Sequence, residues 1–282
     1  MAGFYSRAVE PSAGSERNPH RQRALERARL FDQEAERYDR CRPRYPEAVL
    51  DAVVGPEPSG LKVLDVGCGT GIASRLMAGR GAKVLGVEVA PAMAAIARSY
   101  GIDVEVGAFE DWDPAGRTFD RVTSAQAWHW LDLPVATQKA ACVLPAGGRI
   151  CLIWNAGSPP DDLADALAEV YAGAVPNGIH AVYRGYAAHR STDRRSGLTA
   201  ELAAIAEVAD FDTPTETWFP WTRTYQRDEW MEQLLSRSDH TALDATVRER
   251  LFQGIATTID DFGGSFVMDF ETVLITATRL NS

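Results

Sequence analysis

Lysine is scarce in this chain: Lys62, Lys83 and Lys139 stand alone among 29 basic residues, and arginine supplies the rest. Positive charge is also outweighed, because 39 acidic residues leave a formal net charge of −10 at pH 7. That balance disfavours a nucleic-acid backbone as principal partner, since proteins that bind one carry a basic face that displaces counterions. No apolar run reaches membrane-spanning length. The opening Met-Ala-Gly-Phe-Tyr-Ser-Arg lacks the apolar core of a secretion signal, so a cytoplasmic home is expected. Cys41, Cys68, Cys142 and Cys151 show no Cys-x-x-Cys spacing, and three of them fall in predicted core elements, which reads as reduced, structural thiols. Nothing has metal-ligand spacing, so no metal is expected, and no Ser/His/Asp order stands out for acyl chemistry. What remains is an ordinary composition, 282 residues with 45% hydrophobic and 24% charged, enough for one large α/β domain with an elaboration.

The most informative stretch is Val63-Leu64-Asp65-Val66-Gly67-Cys68-Gly69-Thr70-Gly71. Leu61 to Val66 is a short β-branched run of the kind that forms a buried parallel strand, and a helical pattern starts at Ile72. The glycine turn therefore sits at a strand's carboxyl end, where loops diverge and the next helix presents unpaired N–H groups to a ligand. The dinucleotide fingerprint G-x-G-x-x-G is a poor fit, because Ile72 falls where its third glycine belongs. The stretch resembles instead the first motif of the class I S-adenosylmethionine-dependent methyltransferases.

The rest of the chain follows a βαβ rhythm. Strands are predicted at Val84–Val87, Val104–Val106, Phe119–Thr123 and Arg149–Trp154, with helices over Glu47–Val54, Pro91–Tyr100 and Leu133–Val143 between them. After a helix over Pro160–Tyr171 and an unpatterned insertion at 176–198, a helix over Ala200–Ala209 and an aromatic strand within Phe211–Tyr225 are expected. Two helices, Arg227–Ser236 and Thr241–Ile259, then precede a last strand at Phe266–Leu280. The insertion carries His180, Tyr183, Arg184, Tyr186 and His189 as unsupported substrate contacts. Residues 1–20 are read as a flexible terminus, and 21–37 as an amphipathic helix that runs into the extended turn Tyr38-Asp39-Arg40-Cys41-Arg42-Pro43-Arg44-Tyr45-Pro46. The expectation is a doubly wound, Rossmann-like seven-stranded sheet, mostly parallel with an antiparallel last strand. Residues 21–46 would form an N-terminal lid, and 226–262 a helical cap over the active site.

The turn at Tyr38–Pro46 is similar to a Y-D-x-x-R-P-x-Y-P segment that folds over the cofactor in many members of the family. The resemblance implies S-adenosyl-L-methionine as cofactor, held by Tyr38, Arg42, Asp65, Gly67, Cys68, Gly69, Gly71, Glu88, Val89, Met93, Ala108, Phe109, Glu110, Ala125 and Gln126. Arg42 suits a carboxylate. Glu88, at the tip of the second strand, can take both ribose hydroxyls. Met93 would pack on the adenine, although core packing accounts for it equally. Many relatives carry an acid at the position of Ala108, which leaves the backbone there and at Phe109 to read the adenine edge.

Ser124-Ala-Gln-Ala-Trp128-His129-Trp130 lies at the end of the fourth strand, where the reacting methyl would sit. Relatives of the trans-aconitate methyltransferase type show a similar Trp-His-Trp. Aromatic faces attract a sulfonium and can flank a flat substrate, so Trp128, Trp130 and Tyr45 are substrate candidates, with His129 as catalytic base. Burial alone also accounts for the tryptophans. The resulting reading is methyl transfer to an O, N or carboxylate atom of a small molecule by a monomer or homodimer. Two alternatives stand beside it: a protein that binds the cofactor without catalysis, and a nicotinamide oxidoreductase.

Overall fold

The computed structural model describes residues 34–175 and 198–281, so the expected flexible terminus, most of the 21–37 helix and the insertion at 176–197 lie outside the described residues. Among those described, one mixed sheet runs in the order β3-β2-β1-β4-β5-β7-β6. The parallel part is built from β1 (Lys62–Val66), β2 (Lys83–Glu88), β3 (Asp103–Val106), β4 (Arg121–Ala125) and β5 (Arg149–Ser158). β1 is central because its side chains are apolar or satisfied within the core, and Val63, Leu64 and Val66 are fully buried.

Helices α1 (Ala35–Cys41), α2 (Glu47–Val54), α3 (Ile72–Ala78), α4 (Pro91–Ser99) and α5 (Leu133–Val143) flank or top this part. The chain order reverses between β1 and β4, and the loops leaving those two strands splay apart at the carboxyl edge. A crevice is the consequence.

β6 (Thr215–Gln226) and β7 (Ser265–Thr278) complete the sheet as a long antiparallel pair. β5 outruns its parallel neighbour, which last pairs with it at Ile153, and continues beside β7 to Ser158. The sequence expectation ended this strand at Trp154, and the extension makes a ribbon that projects beyond the parallel sheet. Between β5 and β6 lie α6 (Asp161–Ala174) and α7 (Thr199–Ala206); between β6 and β7 lie α8 (Arg227–Leu235), α9 (Ser238–Thr241) and α10 (Ala245–Asp261). Tyr171, Tyr225, Trp230, Leu234, Ile255, Phe266 and Phe270 form a second core there, separate from the one under β1 and β4.

Two boundaries differ from expectation in ways that bear on function. α1 continues through Tyr38 and Asp39 to Cys41, so the segment read as an extended turn is helical in its first half. Arg42 ends it with extended backbone ahead of Pro43, as the residue before a proline requires. β6 begins at Thr215, while Phe211 makes only an isolated bridge to Arg279. Among the described residues no helix is long and apolar enough to cross a membrane.

Candidate active site

The glycine turn joins β1 to α3 and is shaped by its lack of side chains. Gly67 has φ +66° and Gly69 φ +57°, a left-handed backbone that L side chains disfavour. A Cβ built on Gly67 would lie 2.6 Å from the Cβ of Ala127, in the loop after β4. The turn and the β4 loop therefore approach too closely for a side chain at Gly67, and both line one cleft.

Glu88, nearly buried at the tip of β2, holds this turn. Its Oε2 accepts from the Gly69 amide at 2.8 Å and its Oε1 from the Ala90 amide at 2.8 Å. Glu88 also lines the cleft beside the turn.

Asp65, two residues before the turn, acts from behind. It is buried, and its carboxylate accepts from the Ser74 hydroxyl on α3 and, at 3.0 Å, from the Thr123 hydroxyl on β4. Burial pushes the Asp65 carboxyl up to about 6, against the pull of those two hydroxyls and with a further push from Glu88. Cys68 also faces away: its sulfur packs where a side chain on Gly86 would sit, and burial raises its thiol well above the usual range. Gly71 packs against Ala97 of α4. Asp65, Cys68 and Gly71 therefore shape the turn and are not among the residues that line the cleft.

The cleft holds about 820 Å³ of empty space, part of it open to solvent. Of the residues expected to hold a cofactor, Tyr38, Gly67, Gly69, Glu88, Val89, Met93, Ala108, Phe109, Glu110, Ala125 and Gln126 line it. Val66, Val87, Gly107, Ala127 and Leu131 do too, and sequence reading missed them because they are neighbours of motif residues with no polar mark of their own. Phe109 and Met93 are almost fully buried, which makes one end an apolar slot. Glu110 is committed to the protein: its carboxylate accepts from the Asp132 amide at 3.0 Å, and its carbonyl from Lys139 Nζ at 2.9 Å. Gln126, with φ +60°, donates from Nε2 to the Asn155 carbonyl at 3.1 Å and so links the β4 loop to β5.

Trp128, His129 and Trp130 form one turn of 3₁₀-helix, and it separates their roles. Trp128 is fully buried, 6.1 Å from Phe109 between ring centres, so it belongs to the core and not to a substrate surface. Trp130 is 38% exposed and lines the cleft. His129 lies exposed beside it, ring centres 4.1 Å apart, and its Nδ1 accepts from the indole N–H of Trp154 at 3.1 Å. His129 is not itself a lining residue.

The lid residues divide likewise. Tyr38 covers the cleft, and the Arg42 guanidinium sits 4.6 Å above its ring. Arg42 Nη2 donates to the Ser236 carbonyl at 3.2 Å, so it ties the lid to the end of α8 where a carboxylate contact was expected. Tyr45 packs on the core under α2, and burial raises its hydroxyl far above the usual range, with Tyr38 and Asp65 adding to the effect. It does not line the cleft. The helices α8 to α10 do not line it either, and meet the lid where Arg37 and Arg40 of α1 approach Glu232 at 3.3 and 3.4 Å. Asp39, unmarked in the sequence reading, pairs with Arg75 of α3 and accepts from the Tyr100 hydroxyl at 3.2 Å. Arg75 Nε in turn donates to the Gly71 carbonyl at 3.2 Å.

Residues 63–148 match the family model for a methyltransferase domain. An uncharacterised methyltransferase of Mycobacterium tuberculosis is 35% identical over 123 residues, 42% of this chain and 49% of that protein. A ubiquinone biosynthesis O-methyltransferase of Xanthomonas axonopodis is 36% identical over 134 residues, 44% of this chain and 56% of that protein. The chain spans about half the length of the curated relatives it matches. Among solved structures, a protein of Anaeromyxobacter dehalogenans, provisionally described as a type II methyltransferase, superposes with a TM-score of 0.60 at 22% identity, covering 86% of this chain and 99% of that one.

Proposed function

With a methyltransferase-family domain at residues 63–148 set in the class I methyltransferase fold as the premise, we propose that this protein transfers a methyl group from S-adenosylmethionine to a small-molecule acceptor. The observation that carries the reading is Glu88 joined to the Gly69 amide at the edge of a cleft that both residues line. The residues fit such a cofactor. Glu88 would take the two sugar hydroxyls, the Gly67–Gly69 turn leaves room for the amino-acid end, and Val89, Met93, Phe109 and Leu131 offer an apolar slot to the base.

When bound, the cofactor supplies an electrophilic methyl carbon, which the lone pair of the acceptor takes while the C–S bonding pair stays on sulfur. The protein's share is then orientation, an effect that can contribute several kcal/mol, roughly 7 to 11 at the limit. Trp130, 38% exposed and lining the cleft, gives an acceptor an aromatic face. Tyr38, on α1, also lines the cleft.

Isothermal calorimetry with S-adenosylmethionine, S-adenosylhomocysteine and NAD tests the reading directly. Binding of the first two and none of the third is expected. NAD binding alone would point to the oxidoreductase that Ile72 argues against, and absence of any binding would end the proposal. Release of labelled methyl to an acceptor panel then separates an enzyme from a protein that only holds the cofactor.

A further inference from the structure

The β6–β7 ribbon and the lid are joined by one line of hydrogen bonds, and Asn155 stands in its middle. Asn155 lies opposite Thr272 where β5 outruns β4, and its Oδ1 accepts from the Thr272 hydroxyl at 2.6 Å. Thr272, fully buried on β7, accepts in turn from the Trp221 indole N–H at 2.8 Å. Trp221 is set by stacking on Phe270, ring centres 4.3 Å apart. On its other side Asn155 Nδ2 donates to the Arg44 carbonyl at 3.1 Å. A carbonyl can only accept, so the amide nitrogen faces Arg44 and the amide oxygen is left to Thr272.

Arg44 carries the line on to α1. Its Nη2 donates at 2.9 Å to the carbonyl of Asp39, in the last turn of that helix and next to Tyr38, which lines the cleft. The main chain of β5 holds a second lining residue, Gln126. The Asn155 carbonyl accepts from Gln126 Nε2 at 3.1 Å, and the Ile153 carbonyl accepts from the Gln126 amide at 2.9 Å. Gln126 has φ +60°, a conformation that a side-chain-bearing residue keeps only where its surroundings hold it.

We propose that Asn155 is a positioning residue that references the lid and the β4 loop to the same point on β5, so that Tyr38 and Gln126 are set relative to each other before a ligand arrives. Its side chain fixes the chain where it leaves α1, and its carbonyl fixes Gln126. Asn155 is not itself a lining residue and acts through these two. The relay runs one way, each group donating to the next from the Trp221 indole to the Arg44 carbonyl, and bonds in such a chain strengthen one another. Loss of the Thr272 hydroxyl is therefore felt at Arg44, although Thr272 makes no hydrogen bond to the lid. The methyl-transfer reading enters only in the choice of a ligand as probe, since the relay belongs to the free protein.

The test is hydrogen exchange over residues 38–46 of the free full-length protein, with the dissociation rate of S-adenosylhomocysteine followed alongside. Asn155→Ala should quicken exchange there and raise the dissociation rate by about tenfold, the worth of roughly one hydrogen bond. Thr272→Val, which keeps the side chain's shape and removes its hydroxyl, should move both readouts in the same direction. Thr272→Ser, which restores the hydroxyl, should return both to wild type. If Asn155→Ala does not fold, the two Thr272 variants decide. A lowered Tm with exchange and dissociation unchanged would make these bonds purely structural ties of the ribbon and overturn the proposal. Changes in Thr272→Val that Thr272→Ser fails to rescue would overturn it as well. Failure of the methyl-transfer reading would show separately, as absence of S-adenosylhomocysteine binding to the wild type, and the exchange measurements would still decide the relay.

Discussion

Glu88 and Gly69 sit on different strand tips yet share a 2.8 Å hydrogen bond, which makes the acid and the glycine turn one structural unit. Replacing Glu88 by Ala therefore removes a sugar contact and also releases the turn and the Ala90 amide. The loss in affinity for S-adenosylhomocysteine should exceed that of one hydrogen bond to a charged group, about 3 kcal/mol or roughly 150-fold. Glu88→Gln, which keeps one acceptor oxygen, should fall between Ala and wild type. Calorimetry checks this, and equal affinities for all three proteins would remove Glu88 from the site.

Gly67 differs from other left-handed glycines in what surrounds it. Gly67→Ala sets a Cβ 2.6 Å from Ala127, whereas Gly60→Ala, at φ +79°, meets nothing within 4 Å. Both carry a backbone cost of about 1 to 2 kcal/mol. Only Gly67→Ala should lower Tm by clearly more than that and abolish cofactor binding. If the two variants melt together, the turn and the β4 loop have room to move apart.

The raised carboxyl of Asp65 makes a statement about pH. The folded protein binds this proton more tightly than the unfolded chain, whose value lies near 3.8, so the stabilisation is complete below that pH and is lost as pH rises through about 6. The loss is worth about 3 kcal/mol at 1.36 kcal/mol per pH unit. Urea denaturation at pH 4 and pH 7 should show wild type losing stability relative to Asp65→Asn over that interval. Parallel behaviour of the two would mean that Asp65 is ionised throughout, held by the Ser74 and Thr123 hydroxyls.

What could be read in advance was local. Val63 to Gly71 and Glu88 each belong to a strand, turn and helix whose order in sequence is their order in space, so the parallel half of the sheet and the floor of the cleft were legible. The Trp-His-Trp segment was not, because consecutive residues of a tight helical turn point about 120° apart and the sequence does not say which faces in. Trp128 went to the core, Trp130 to the cleft and His129 to Trp154, a partner 25 positions away. Arg42 and Ser236 lie 194 positions apart, and no periodicity announces that bond. The direction of the Asp65 side chain was not legible either: alternation along β1 turns it between Ser74 and Thr123.

Asp39 and Arg75 decide how firmly α1 lies over the cleft. Their side chains are only 10% and 19% exposed, so the pair is shielded from solvent, and Arg75 also holds the Gly71 carbonyl at the end of the turn. Asp39→Asn leaves a shielded guanidinium without its counter-charge, at a cost of about 2 to 3 kcal/mol, below the range for a fully buried pair. The pair of Asp51 and Arg80 is the control, because Asp51 is 64% exposed and its removal should cost at most about 1 kcal/mol. Hydrogen exchange across residues 35–41 should quicken in Asp39→Asn and stay unchanged in Asp51→Asn. Cofactor affinity should weaken in the first alone, because Tyr38 rides on the same helix. If residues 35–41 exchange equally in both variants, the lid is held from the other side, through Arg37, Arg40 and Arg42 against α8, and cofactor entry must then displace that contact first.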